Sequence, residues 1–214
     1  MREPETDDYK KLDRLIKYTQ GTIGIPLVLS IYKAGNIKWY VDAVFAVHKY
    51  MRIHTGGFMT MGTGWAYVKS SKQKLNTKIS TEADLVIVYD VLTQVIWTRY
   101  FLKEQGNMIQ DNVIYQDNQS AIRLEKNGKR SISKRTRHIN IRYYFITDRI
   151  MKQEASVEFF PTVDMIGDYF TKELQGSQFC QFSNIVLGIH EDNISASNAS
   201  GRALLEKQKL KLKK

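Results

Sequence analysis

The order of strand-like and helix-like segments is the feature that most constrains how this chain can fold. Three strand-like runs, at 37–47, 57–61 and 65–70, precede the longest helical pattern, which extends over 81–105. A strand, two helices, a strand and a helix then follow. Since strands that come after helices usually run parallel to a neighbour, this order predicts an α/β fold with a mixed sheet.

The shorter elements are predicted from hydrophobic periodicity and turn residues. Strands are expected at 25–29, 112–117 and 157–160, and helices at 8–20, 119–125, 138–152 and 164–174. Gly106 and Asn107 are typical of the end of the long helix. Thr81 and Asp84 have the spacing of a capping box at its start, so Asp84 is assigned to the helix cap.

The size and composition of the chain favour one domain with appendages. It has 214 residues, of which 43% are hydrophobic, and this is enough for an ordinary packed core. The lone Cys180 excludes an internal disulfide framework and a cysteine-based zinc site. Because the sequence has neither an apolar run of membrane-spanning length nor a signal peptide at its start, we expect a soluble, intracellular protein.

The charge of the chain is strongly basic and unevenly distributed. The net charge is +10, which favours a polyanionic partner. Eight basic residues fall within 123–142, and this patch is the better candidate for phosphate contacts. The segment 188–214 is rich in Ser, Asn, Ala and Lys and is expected to be a disordered basic tail, whose charges could equally be solvated without a role.

Four acidic residues lie in four different settings along the chain. Asp42 interrupts an apolar strand-like run, Glu82 opens the long helix, Asp117 closes a strand, and Asp168 lies in the last helical pattern. Carboxylates on apolar elements need positive charge nearby to offset their desolvation. If the four converge, they could hold two Mg²⁺ ions about 4 Å apart, the geometry of in-line phosphodiester hydrolysis.

Each of these acids also has a purely structural explanation. Glu82 could serve the helix dipole, Asp117 could cap the helix that follows it, and Asp168 could be exposed. Asp42 is the hardest to explain in this way, because Asp is depleted in strands. Spacing alone therefore leaves a metal site and four unrelated structural roles both open.

Five segments in a fixed order carry a more specific signal. They are SKQK at 71–74, STEADL at 80–85, YQDNQSAI at 115–122, KRTRHINIRY at 134–143 and DMIGDYFTK at 164–172. Together they resemble the ribonuclease H region of copia-type LTR retrotransposon Pol polyproteins. The resemblance extends over about residues 9–187. It implies a ribonuclease H-like domain at 34–187, with a five-stranded mixed sheet flanked by helices, and a remnant of the reverse transcriptase connector at 1–33.

The resemblance also implies a function and a set of site residues. The catalytic residues and metal ligands of the family correspond to Asp42, Glu82, Asp117 and Asp168, with two Mg²⁺ ions as cofactors and Mn²⁺ able to substitute. The implied reaction is hydrolysis of the RNA strand of an RNA–DNA hybrid during reverse transcription. The implied partners are the hybrid and an upstream reverse transcriptase domain, with no membrane, in a cytoplasmic particle or the nucleus. Contacts with nucleic acid are expected from Asn118, Gln119, Lys134, Arg135, Arg137, His138 and Arg142, although His138 could also be structural.

Other functions are compatible with parts of the sequence. The segment 40–43 (YVDA) lacks the second Asp of a polymerase site, and an integrase of this fold superfamily would have its Glu after two Asp residues. Gly167 stands where relatives have Ala, at a cost of about 1 kcal/mol in helix propensity, which is typical of a decaying copy. A catalytically inactive remnant that binds nucleic acid is thus the main alternative, and a sequence-specific DNA-binding module is a third.

Overall fold

The chain folds into two units that are described separately. The computed structural model describes residues 3–32, 35–44, 53–73, 80–127 and 137–189, without the side chains of residues 80 and 137–141. Val28–Gly188 form one compact unit, and the two terminal segments form the other. Helix α1 (Thr6–Thr22) belongs to the terminal unit and has no buried residue, and the helix predicted at 8–20 is confirmed.

The compact unit contains strands and helices in nearly the predicted order. The strands are β1 (Ser30–Ile31), β2 (Asn36–Val44), β3 (His54–Thr60), β4 (Gly62–Thr63), β5 (Tyr67–Lys72), β6 (Asp111–Gln116) and β7 (Ser156–Phe159). The helices are α2 (Ser80–Glu104), α3 (Gln119–Asn127), α4 (Arg137–Met151) and α5 (Gly176–Leu187). Gly106, in the left-handed region at φ +82°, ends α2 as predicted.

A five-stranded mixed sheet forms the centre of this unit, in the order β5-β3-β2-β6-β7. Strand β3 runs antiparallel to both β2 and β5, whereas β6 runs parallel to both β2 and β7. The parallel pairs are those joined through helices, as expected from the connection that a parallel pair requires. The predicted α/β fold, a ribonuclease H-like mixed five-stranded sheet flanked by helices, is confirmed.

The two faces of the sheet bury different sets of side chains. One cluster packs Trp39 and Val41 of β2 against α2 and α4, for example through Leu85 and Ile146. On the other face, Tyr40 belongs to a cluster completed by the segment after β7 and by α5. Residues 81–104 of α2 are long and apolar enough to cross a membrane by length and composition, but here the helix supplies the largest part of the first cluster.

Three sequence predictions differ from the structure. The helix predicted at 164–174 is replaced by two 3₁₀ turns, Thr162–Asp164 and Ile166–Phe170. A Cβ on Gly167 would lie 2.9 Å from the backbone nitrogen of Asp42, so this segment follows its contact with β2 rather than its own helical pattern. The strand predicted at 25–29 is instead β1, which pairs with β4. Helix α5 was not predicted.

The domain boundaries remain predictions. The compact unit begins at Val28 rather than at residue 34, because β1 pairs with β4 inside it. At the other end it closes at Gly188, whose left-handed conformation caps α5. The predicted tail lies outside the described residues from 190 onward.

Candidate active site

Asp42 and Asp117 lie at the same edge of the sheet because β2 and β6 are parallel. Tyr40 of β2 is paired with Tyr115 of β6, and their rings stack with centroids 5.1 Å apart. Each Asp follows its Tyr by two residues, so both carboxyl groups are directed to the face that carries the two rings. Asp117 also accepts a hydrogen bond of 2.9 Å from the hydroxyl of Thr162.

Asp168 reaches Asp42 from the second 3₁₀ turn. Both residues are buried, with 4% and 6% of their surface exposed. The Lys172 Nζ lies 2.8 Å from Asp168 Oδ2 and 4.0 Å from Asp42 Oδ2, and the Thr171 hydroxyl donates a short hydrogen bond to Asp42 Oδ2. Asp168 Oδ1 has no hydrogen-bond partner in the part of the chain that the structure describes. The turn thus brings two carboxyl groups and one ammonium group together.

Asp84, in the first turn of α2, joins the same group of charges. It is 8% exposed, and its Oδ2 accepts a hydrogen bond of 2.8 Å from Asn118 Nδ2. Burial raises the pKa of Asp84 to about 7, and the charges of Asp42 and Asp117 act in the same direction. The structure therefore places Asp84 beside the other acids rather than in the capping role predicted for it.

Glu82, by contrast, is directed elsewhere. It is half-buried, and its charge acts on Tyr143 of α4. Residues two positions apart on a helix are separated by about 200° around its axis, so Glu82 and Asp84 cannot both face the same site. The geometry groups Asp84 with Asp42, Asp117 and Asp168, and metal binding by Glu82 stays a prediction without support from its position. Helical phase was the signal in the sequence that could have identified Asp84.

The electrostatics of the group reflect an excess of negative charge. Burial raises the pKa of Asp168 to about 6, with a further contribution from Asp42, while Lys172 acts in the opposite direction. Partial burial alone would lower the pKa of Lys172, but its hydrogen bond with Asp168 and the charges of Asp42 and Asp117 raise it. One ammonium group therefore offsets only part of the charge of several carboxylates.

The residues predicted to contact nucleic acid have different surroundings. Asn118 uses its side chain internally, since it binds Asp84 and caps α3. Gln119 is exposed at the start of α3, and the guanidinium of Arg142 lies 5.1 Å from the ring centroid of Tyr89. Lys134 and Arg135 lie outside the described residues. Arg137 and His138 begin α4, but their side chains also lie outside the described part.

The donor chemistry of the group fits a divalent cation. Carboxylate oxygens are the ligands that Mg²⁺ prefers, and the buried, unpartnered Oδ1 of Asp168 is a suitable donor. The raised pKa values of Asp84 and Asp168 indicate negative charge that a cation would neutralise. Within the described ranges, however, no three His, Cys, Asp or Glu residues are already spaced to surround an ion. Asp42, Asp84, Asp117 and Asp168 are the residues that would hold it.

Comparison with known proteins identifies the relatives of this chain. No family model matches it. It is 28% identical over 196 residues to the retrovirus-related Pol polyprotein from transposon TNT 1-94 of Nicotiana tabacum, a match that covers 90% of the chain. Its homologues are copia-type retrotransposon Pol polyproteins. The Pol polyproteins from transposons RE1 and RE2 of Arabidopsis thaliana are 28% and 29% identical to it, each over 86% of the chain. The resemblance stated from the five segments is confirmed.

The match is to a small part of each polyprotein. The chain spans 14% of the length of the TNT 1-94 polyprotein and 13% of each of the other two. Among solved structures, it is similar to LC11-RNase H1 from compost, with a TM-score of 0.43 and 11% identity, over 60% of this chain and 86% of that one. RNase H1 of Halobacterium salinarum gives a TM-score of 0.39 and 14% identity, over 64% and 95% respectively.

Proposed function

We propose that this chain is a metal-dependent ribonuclease H-type endonuclease that hydrolyses the RNA strand of RNA–DNA hybrids during retrotransposon reverse transcription. The observation that carries the proposal is the convergence of carboxyl groups from four separate elements at the carboxyl edge of β2 and β6, namely Asp42, Asp84, Asp117 and Asp168. Homology to Pol polyproteins supports the same function. A reverse transcriptase domain upstream is the proposed partner.

The residues of the chain have distinct roles in this proposal. Bound divalent cations would activate the attacking water and stabilise the leaving 3′ oxygen. The four carboxylates would hold the cations, and three neighbouring side chains keep those carboxylates in position. Thr171 binds Asp42, Asn118 binds Asp84, and Thr162 binds Asp117. Such supporting hydrogen bonds orient ligands and sustain their affinity for a metal.

The proposed substrate surface lies beside the carboxylates. Gln119 is exposed two residues after Asp117, so it is placed to contact a bound nucleic acid. The basic residues of 123–142 would follow the phosphate backbone of the hybrid, a contact that is independent of sequence and sensitive to salt. Discrimination of RNA from DNA would then depend on the 2′-hydroxyl group of the cleaved strand.

A cleavage assay with matched substrates tests the proposal. The intact chain is incubated with an end-labelled RNA–DNA hybrid in Mg²⁺ or in Mn²⁺, with duplex DNA and single-stranded RNA as controls. We expect cleavage of the RNA strand of the hybrid alone, and loss of this cleavage in EDTA and in Asp117→Asn. Absence of cleavage by the intact chain, or full activity in Asp117→Asn, contradicts the proposal.

A catalytically inactive nucleic-acid-binding remnant is the second candidate. The observation that favours it is the ion pair between Lys172 and Asp168, since an ammonium group already lies among the carboxylates. This candidate predicts binding of the hybrid that weakens with salt, without cleavage in either metal. Binding and cleavage measured on the same preparation distinguish the two functions.

A further inference from the structure

We propose that Lys172 is a built-in counter-cation, which holds the carboxylate cluster together in the metal-free protein and is displaced when a divalent cation binds. This inference rests on the proposed metal-dependent function. It assigns to Lys172 a positioning role in the metal-free state and a competing role against the cation.

Lys172 is placed to interact with all of the acids at this edge. Its Nζ lies 2.8 Å from Asp168 Oδ2 and 4.0 Å from Asp42 Oδ2. Its charge also acts on Asp84 and Asp117. Both ion pairs that the described structure records for Asp42 and Asp168 are with this one ammonium group.

The exposure of the three side chains differs in a way that permits exchange. The side chains of Asp42 and Asp168 are each 6% exposed, whereas that of Lys172 is 37% exposed. The carboxylates are held by packing and by the Thr171 hydroxyl, but the ammonium group ends a flexible four-carbon stem next to solvent. Rotation of the Lys172 side chain could therefore remove the ammonium group without moving either carboxylate.

A single ammonium group leaves the cluster incompletely satisfied. Asp168 Oδ1 is buried and has no hydrogen-bond partner among the residues described. A divalent cation carries twice the charge of Lys172 and can bind several carboxylate oxygens at once. Since two cations within a few Å of each other repel, the ammonium group and the metal ion would exclude each other from the centre of the cluster.

Cation binding by a lysine variant tests the proposal. Binding of Mg²⁺ and of Mn²⁺ to the full chain is measured by calorimetry, without nucleic acid, for the parent and for Lys172→Met. Thermal unfolding of both proteins is measured in EDTA. We expect Lys172→Met to bind Mg²⁺ about tenfold more tightly, which corresponds to the loss of roughly 1.4 kcal/mol of competition. The variant should also unfold at a lower temperature than the parent in EDTA.

A matched control is available at the end of α4. Lys152 forms an ion pair of 3.0 Å with Asp148 at the same four-residue spacing, away from the cluster. Lys152→Met should leave both the Mg²⁺ affinity and the unfolding temperature in EDTA unchanged. Equal or weaker Mg²⁺ binding by Lys172→Met overturns the proposal, as does absence of measurable cation binding by the parent.

A second measurement uses the unmodified chain and does not depend on the folding of a variant. The rate at which an amine-acylating reagent modifies Lys172 is followed by mass spectrometry, with Lys152 as internal reference. We expect this rate to rise when Mg²⁺ is added, because the ammonium group leaves the carboxylates. A rate that is unchanged or lower overturns the proposal. If the chain binds cations but does not cleave hybrid, the proposed function fails while this inference stands.

Discussion

The side-chain amide of Asn118 donates a hydrogen bond of 2.8 Å to Asp84, while its carbonyl oxygen accepts hydrogen bonds from the backbone amides of Ser120 and Ala121. One residue thus caps α3 and connects the end of β6 to the first turn of α2. Because Asn118 follows Asp117 directly, the same contact sets the position of Asp84 relative to Asp117.

This arrangement predicts different outcomes for the two acids at the start of α2. Asp84→Asn should reduce cleavage of an RNA–DNA hybrid at least about 100-fold, which is typical of the loss of one electrostatic group from an active site. Glu82→Gln should change the rate by less than about threefold, because the charge of Glu82 acts on Tyr143. Rates are compared at saturating Mg²⁺. A silent Asp84→Asn together with an inactive Glu82→Gln would restore Glu82 as the site residue.

The pH dependence of cleavage should report the hydrogen bond from Asn118. Burial raises the pKa of Asp84 to about 7, and the bond from Asn118 lowers it. Removal of the bond in Asn118→Ala should therefore raise this pKa further, so that the acid limb of the pH–rate profile moves to higher pH. Gln119→Ala, next to it on the exposed side, serves as the control and should leave the limb in place. No movement in Asn118→Ala would mean that Asp84 does not govern the limb.

Two adjacent glycines in β3 should respond differently to substitution. A Cβ on Gly56 would lie 2.6 Å from Thr171 Cγ2 and 2.7 Å from Gly167 O, whereas a Cβ on Gly57 would have its nearest neighbour at 3.6 Å. Gly56→Ala should therefore destabilise the protein by roughly 1–3 kcal/mol, the usual cost of overpacking, and displace Thr171 from Asp42. Gly57→Ala should be close to neutral. Urea unfolding of both variants checks the difference, and equal effects would contradict the close approach.

A buried glutamate should make the stability depend on pH. Glu125 is fully buried, its Oε2 accepts a hydrogen bond of 2.6 Å from Gln116, and burial raises its pKa well above 4.5. The folded state therefore binds a proton that the unfolded state releases, so this contribution to stability is complete below pH 4.5 and declines as pH rises. Since glutamine keeps an acceptor for Gln116 without a charge, Glu125→Gln should gain stability relative to the parent from pH 4 to pH 8. The gain should be at least about 1 kcal/mol, the scale of one pKa unit.

The control for this prediction is an exposed glutamate. Glu104, at the end of α2, is exposed, and Glu104→Gln should show the same stability profile as the parent. Chemical unfolding at pH 4, 6 and 8 supplies the comparison. A constant difference between Glu125→Gln and the parent across this range would mean that Glu125 is charged at neutral pH.

Much of the fold was predictable because hydrophobic periodicity is a local property. The bounds of α2, β6 and α4 lie within two residues of those expected from the sequence. The segment at 164–174 was predicted wrongly, since its conformation depends on the contact between Gly167 and Asp42, which are far apart in the chain. Local patterns carry no information about such a contact.

The sequence by itself determined the strand and helix order, the mixed sheet, and the presence of acids at the ends of β2 and β6. Those two positions follow from strand register, because parallel strands bring their carboxyl ends to one edge. Only the tertiary structure decided that Asp84 rather than Glu82 faces that edge, and that Lys172 lies among the carboxylates. Both depend on how α2 and the 3₁₀ turn are rotated against the sheet, and packing between distant segments sets that rotation.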